Sequence, residues 1–127
     1  MKNNELFQKA QSARYLALEL AHNANESHSG GAMSMADVLI TLYANYLNNT
    51  PQTQNEVNRD RFILSKGHCC SLYYAILAEM GFFTKQELLD NFAKNGTHFF
   101  AHASHTLPGV ELSTGSLGHG LPVSCGL

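Results

Sequence analysis

The 127-residue chain contains no tryptophan, three prolines and three cysteines, and it carries little charge of either sign. Eight Lys and Arg face ten Asp and Glu, for a formal net charge of -2. Each scarcity excludes something. Without a basic excess there is no electrostatic footprint for nucleic acid and no polybasic anchor for a membrane surface. No apolar run approaches the roughly 20 residues of a bilayer span. The start, Met1-Lys2-Asn3-Asn4-Glu5, lacks the apolar stretch of a secretory signal. Three cysteines cannot all pair, and Cys69 and Cys70 are adjacent, so no disulfide framework is expected and a reduced, cytoplasmic chain is the default. Low charge with 44% hydrophobic residues argues against wholesale disorder, and the length allows one domain with a modest core. What the chain has in abundance is histidine, seven in all.

Apolar residues at three- and four-residue spacing from Leu6 to Ala21 predict a first helix over roughly 5–25. Ser27-His28-Ser29-Gly30-Gly31 then reads as a loop. A second helix is predicted to start near Ser34, with Ser34 and Asp37 as a capping box. Its run from Ala36 to Leu47 is apolar on most faces, which implies deep packing against partners. Arg61-Phe62-Ile63-Leu64-Ser65 is short, apolar and bounded by turn signals, as expected of a buried strand. A helix from about Cys69 to Met80 should stop at Gly81, and Thr84 with Glu87 should cap another that runs to about Lys94. Residues 97–114 form a long loop, a length that is uncommon unless functional. Gly115 to Gly120 lead into a further helix start.

Four places carry chemistry. His28 ahead of Gly30 and Gly31 suits either an anion-facing loop or a histidine bonded to backbone. Ser65-Lys66-Gly67-His68 sits where a strand would meet a helix. There Lys66 or His68 could meet a phosphate while Gly67 permits close backbone approach, or the segment is a structural turn. His98, His102 and His105 have spacings that raise zinc, but Phe99-Phe100 and Pro108 make a poor helix, and no HExxH is present. Gly115-x-x-Gly118-x-Gly120 could cradle a cofactor through backbone groups, although it lacks the GxGxxG spacing. Cys125 reads as a small packing residue.

Together the segments resemble the N-terminal, diphosphate-binding region of transketolases. The matching pieces are His28-Ser29-Gly30-Gly31 with Ser34-Met35-Ala36-Asp37-Val38-Leu39, then Arg59-Asp60-Arg61-Phe62-Ile63-Leu64-Ser65-Lys66-Gly67-His68, then Leu107 through Gly120, in the family's order. The Ser-Lys-Gly-His form is most similar to the N-terminal subunit of two-subunit transketolases. The resemblance implies an α/β fold, the opening part of a thiamine diphosphate-binding domain, helix-rich and with its parallel sheet mostly missing. It implies transfer of two-carbon ketol units between sugar phosphates, with thiamine diphosphate as cofactor. Under it, His68 contacts the diphosphate, Gly115, Ser116 and Leu117 touch the cofactor through their backbone, and His28 and His102 line the sugar site. His105 is a weaker candidate for that last place, and His119 stands where the family often has Gln. The implied Mg2+ is held in the family by Gly-Asp-Gly and an Asn, and no Gly-Asp-Gly occurs here. The activating glutamate lies on the C-terminal transketolase half. The resemblance therefore implies a truncated portion that is inactive alone and oligomeric when complete with that partner. The alternatives are part of a 1-deoxyxylulose-5-phosphate-synthase-like enzyme, or a catalytically dead interaction subunit.

Overall fold

The protein, described over residues 1–127 by a computed structural model, is built around a helix that is apolar on every side. This is α4, Cys70–Glu79, in which every residue from Cys70 to Ala78 is buried. A helix without a polar face is stable only when other elements surround it. Here α1 (Asn3–Asn23), α2 (Ser29–Met33), α3 (Ala36–Asn45) and α5 (Lys85–Asn91) all pack against it. A final helix, α6 (Gly120–Gly126), lies at the end of the glycine-rich loop.

The long first helix presents Ala10, Ala13, Leu16, Ala17, Leu20 and Ala21 to the core. Four alanines on that stripe let α1 and α4 approach closely, and these two helices form the most extensive helix pair in the fold. At its start the Lys2 backbone N–H donates to the Glu5 carboxylate (3.0 Å). At its end the Asn25 N–H donates to His22 O (3.2 Å) and the Glu26 N–H to Ala21 O (2.8 Å), with Asn25 at φ 53. These paired bonds are a Schellman motif, with asparagine at the left-handed position usually taken by glycine. The same motif closes α4, where Gly81 has φ 87 and the Gly81 and Phe82 N–H groups reach Ala78 O and Leu77 O. Thr84 caps α5 by accepting from the Glu87 N–H at 3.0 Å.

Three expectations need correction. Residues 61–65 are not a strand: none of them makes a backbone–backbone hydrogen bond, and the fold contains no sheet. A strand exists only through its ladder, and no neighbouring segment of this chain offers one. The helix-rich character matches the expectation, since the sheet was expected to be mostly missing. Second, Ser34 does not begin a helix. It follows the short α2, and its hydroxyl donates to Gly31 O (2.8 Å), while Asp37 pairs with Arg14 of α1 at 2.6 Å. Third, α3 is amphipathic: Ala36, Leu39, Ile40 and Tyr43 are buried, whereas Val38 and Tyr46 lie exposed. In addition α5 ends at Asn91, short of the expected Lys94.

Buried tyrosines tie the loops to the core. The Tyr43 and Tyr73 hydroxyls share a hydrogen bond (3.0 Å), and Tyr73 donates to Gly109 O (2.9 Å). Tyr74 donates to His102 O (2.9 Å) and accepts from the Ser104 N–H (3.0 Å). Burial pushes the phenols of all three up, for Tyr73 with the neighbouring Tyr43 as the next contribution, so each acts as a neutral donor and acceptor.

Candidate functional site

Four segments distant in sequence are stitched together at one end of α4. The Ala103 N–H donates to Gly67 O (3.1 Å) and the Thr114 N–H to Ala103 O (3.1 Å). The Thr114 hydroxyl donates to Leu64 O, and the Gly120 N–H to the Ser65 hydroxyl (3.1 Å). Gly67 is the tightest point of this seam. A Cβ placed there would lie 2.1 Å from Thr114 O and 2.5 Å from its carbonyl carbon. The missing side chain thus makes room for another strand of backbone. It does not make room for a ligand, which was one of the two readings of this glycine.

The seam brings three histidines together. The rings of His28 and His68 lie 5.2 Å apart between centroids, and those of His28 and His102 lie 6.2 Å apart. Each comes from a different element. His28 precedes α2, His68 sits in a single 3-10 turn (Gly67–Cys69) leading into α4, and His102 is anchored through its carbonyl by Tyr74. His28 and His102 are exposed, and His68 is part-buried. Desolvation is the largest influence on His68 and depresses its pKa below 6.5, and His28, His102 and Lys66 depress it further. The ring is therefore neutral around pH 7, with one N–H to donate and one nitrogen to accept.

Lys66 is committed elsewhere. Its ammonium donates to Gly31 O (2.7 Å) and to the Ser34 hydroxyl (3.1 Å), which latches α2 to the seam. This leaves His68 as the side chain of that segment that can meet an anion. Beside it the loop 115–119 is exposed, and the backbone N–H groups of Gly115, Ser116 and Leu117 donate to no protein acceptor. Three unpaired donors in sequence are what a diphosphate requires.

The histidines considered for zinc do not converge. His105 turns away to Ser113, with Nδ1 2.7 Å from the hydroxyl. His98 lines a separate hollow with Glu87 and Asn91. No group of three His, Cys, Asp or Glu side chains is arranged to hold a metal ion. His119 precedes α6 and is exposed, as is Cys125 within it.

Two contributors escaped the sequence reading. Tyr74 positions His102, and its signal was present: a tyrosine on an all-apolar helix must place its hydroxyl against a partner. Glu26 is the second. Its carboxylate interacts electrostatically with His28 and His102. No local pattern marked it, because its place depends on the turn at Asn25.

Comparison with known proteins agrees with this geometry. Residues 7–127 match the family described as the transketolase, thiamine diphosphate binding domain. One of the subunits of apulose-4-phosphate transketolase from Phocaeicola vulgatus is 37% identical over 110 residues, covering 87% of this chain and 39% of that protein. Ferredoxin fas2 of Rhodococcoides fascians is 47% identical over 104 residues, covering 81% of this chain and 34% of that protein. Among solved structures, transketolase from Campylobacter jejuni superposes with a TM-score of 0.86 at 32% identity, over 95% of this chain and 19% of that one. The chain thus spans less than half the length of these relatives. By a family match that takes in everything from Phe7 onward, the chain belongs to the transketolase N-terminal, thiamine diphosphate-binding domain family.

Proposed function

We propose that this chain supplies the diphosphate-binding and sugar-facing residues of a transketolase, acting in the cytoplasm with a C-terminal transketolase half to move two-carbon ketol units between sugar phosphates. The observation that carries the reading is the convergence of His28, His68 and His102 beside a loop whose N–H groups are unpaired. Thiamine diphosphate, when bound, supplies the electron sink that stabilises the carbanion. His68 and the N–H groups of Gly115, Ser116 and Leu117 hold the diphosphate. Being neutral beforehand, His68 binds it through a donated N–H rather than a standing positive charge. His28 and His102 face the sugar, donate to its carbonyl or alkoxide oxygen, and exchange protons with its hydroxyls. The Mg2+ that the resemblance implies finds no cluster of ligating side chains in this chain, so no step is assigned to it.

The test is a thiamine diphosphate titration of the protein paired with its C-terminal half, against His68→Ala. Removing one hydrogen bond to a charged phosphate costs about 1.5–3 kcal/mol. The dissociation constant should rise roughly ten- to hundredfold. An unchanged constant would make His68 a structural turn residue and remove the basis for the cofactor site.

A further inference from the structure

The histidine site contains one group that can only accept hydrogen bonds. Glu26 is the second residue past the end of α1, and its position is fixed by backbone: its N–H closes the outer ring of the Schellman motif on Ala21 O, with Asn25 held at φ 53. The side chain is part-buried, two residues before His28. Its carboxylate feels His28 and His102 together. Partial desolvation, the largest influence, raises its pKa above 4.5, and the two imidazoles pull it back. It also adds to the pressure that keeps the Cys70 thiol protonated, which places it on the inner side of the cluster. The remaining charged or titratable groups around these rings are His68 and Lys66, and Lys66 is occupied by Gly31 and Ser34.

We propose that Glu26 is a specificity-determining residue of the sugar-facing site, where it accepts hydrogen bonds from the hydroxyl groups of a neutral polyol segment and repels phosphate from the side of His28 and His102. The proposal rests on the function proposed above. It follows from the complement of groups present. His28 and His102 bring N–H donors, which alone would welcome either a hydroxylated carbon chain or a phosphate. An ionised carboxylate beside them separates the two, since it accepts from hydroxyls and opposes a dianion. A sugar phosphate therefore enters with its carbonyl and hydroxyl end at these histidines and its phosphate away from them.

The experiment uses the 127-residue chain at mildly alkaline pH, with side-chain resonances of His28 and His102 followed by NMR. Inorganic phosphate and a neutral ketopentose are titrated separately into wild type, Glu26→Gln and Glu26→Asp. Removing one like charge at a partly exposed site should tighten phosphate binding roughly tenfold in Glu26→Gln. The same variant should bind the ketopentose more weakly, and Glu26→Asp should remain close to wild type on both counts. Equal phosphate affinities in wild type and Glu26→Gln, or no response of His28 and His102 to either probe, would overturn the proposal. Thiamine diphosphate binding read at His68 tests the parent reading separately, so failure of one is distinguishable from failure of the other.

Discussion

Replacing Gly67 with alanine tests whether the seam at the end of α4 is what assembles the site. Gly67 lies outside the left-handed region, so alanine meets no backbone strain there and the whole penalty is spatial. The added methyl would sit 2.1 Å from Thr114 O, 2.5 Å from Thr114 C and 2.7 Å from its hydroxyl. Two of those atoms are backbone and cannot rotate away, so the two segments must separate. Overpacking of this kind costs about 1–3 kcal/mol. Separation also weakens three hydrogen bonds of the seam, Ala103 N–H to Gly67 O, Thr114 N–H to Ala103 O, and Thr114 hydroxyl to Leu64 O. Each is worth about 1 kcal/mol net. A loss of about 3–5 kcal/mol is expected, a large share of a typical domain's stability. It should lower the melting temperature by about 10–20 °C in thermal unfolding followed by circular dichroism. Gly30→Ala is the matched control, because an added Cβ there meets nothing within 4 Å and the residue is helical. It should be neutral or stabilise by about 0.4–1 kcal/mol. If Gly67→Ala and Gly30→Ala melt alike, the close approach to Thr114 does not organise the site.

Other substitutions read out the remaining parts. Tyr74→Phe leaves His102 O and the Ser104 N–H without their partner, so the chain should lose about 1–3 kcal/mol in denaturant unfolding, and unchanged stability would mean the hydroxyl is dispensable. In the enzyme paired with its other half, His28→Ala and His102→Ala should leave the thiamine diphosphate constant unchanged and slow turnover about a hundredfold or more. Steady-state kinetics would decide this, and a silent His102→Ala beside a damaging His105→Ala would move the role to His105. For Glu79, burial alone would raise the carboxyl's pKa, but a hydrogen bond from Lys85, the Ser12 hydroxyl and the charges of Lys85 and Lys9 outweigh it and leave it lowered. The Lys85 ammonium meets Oε1 as an ion pair outside aligned hydrogen-bond geometry. A lowered folded-state pKa contributes stability above the unfolded value that is lost as pH falls through the folded one. Glu79→Gln should therefore be less stable than wild type at neutral pH and converge with it under acid, whereas a constant difference across that range would count against the clamp.

What the sequence determined by itself is local. The alanine and leucine stripe of α1, the all-apolar run of α4, Gly81 as a stop and Thr84 as a cap each follow from spacing or from one residue's own conformational and hydrogen-bonding preferences, and the fold keeps all of them. The His28, His68 and loop 115–117 motifs were equally legible, because their residue order is written along the chain. The long loop 97–114 was recognisable from its composition. Where the reading failed, the outcome depended on something distant. Phe62 to Leu64 has the composition of a strand, yet a strand is a property of two segments, and the second is absent from this chain's fold. Ser34 and Asp37 had capping spacing, but Gly31 O and Arg14 claimed them first. Only the tertiary structure decided that His102 joins His28 while His105 goes to Ser113, that Lys66 is a latch, and that Gly67 makes room for Thr114. The reason is physical: periodicity and capping act over a few residues, whereas the site is assembled by hydrogen bonds and close packing between segments far apart along the chain.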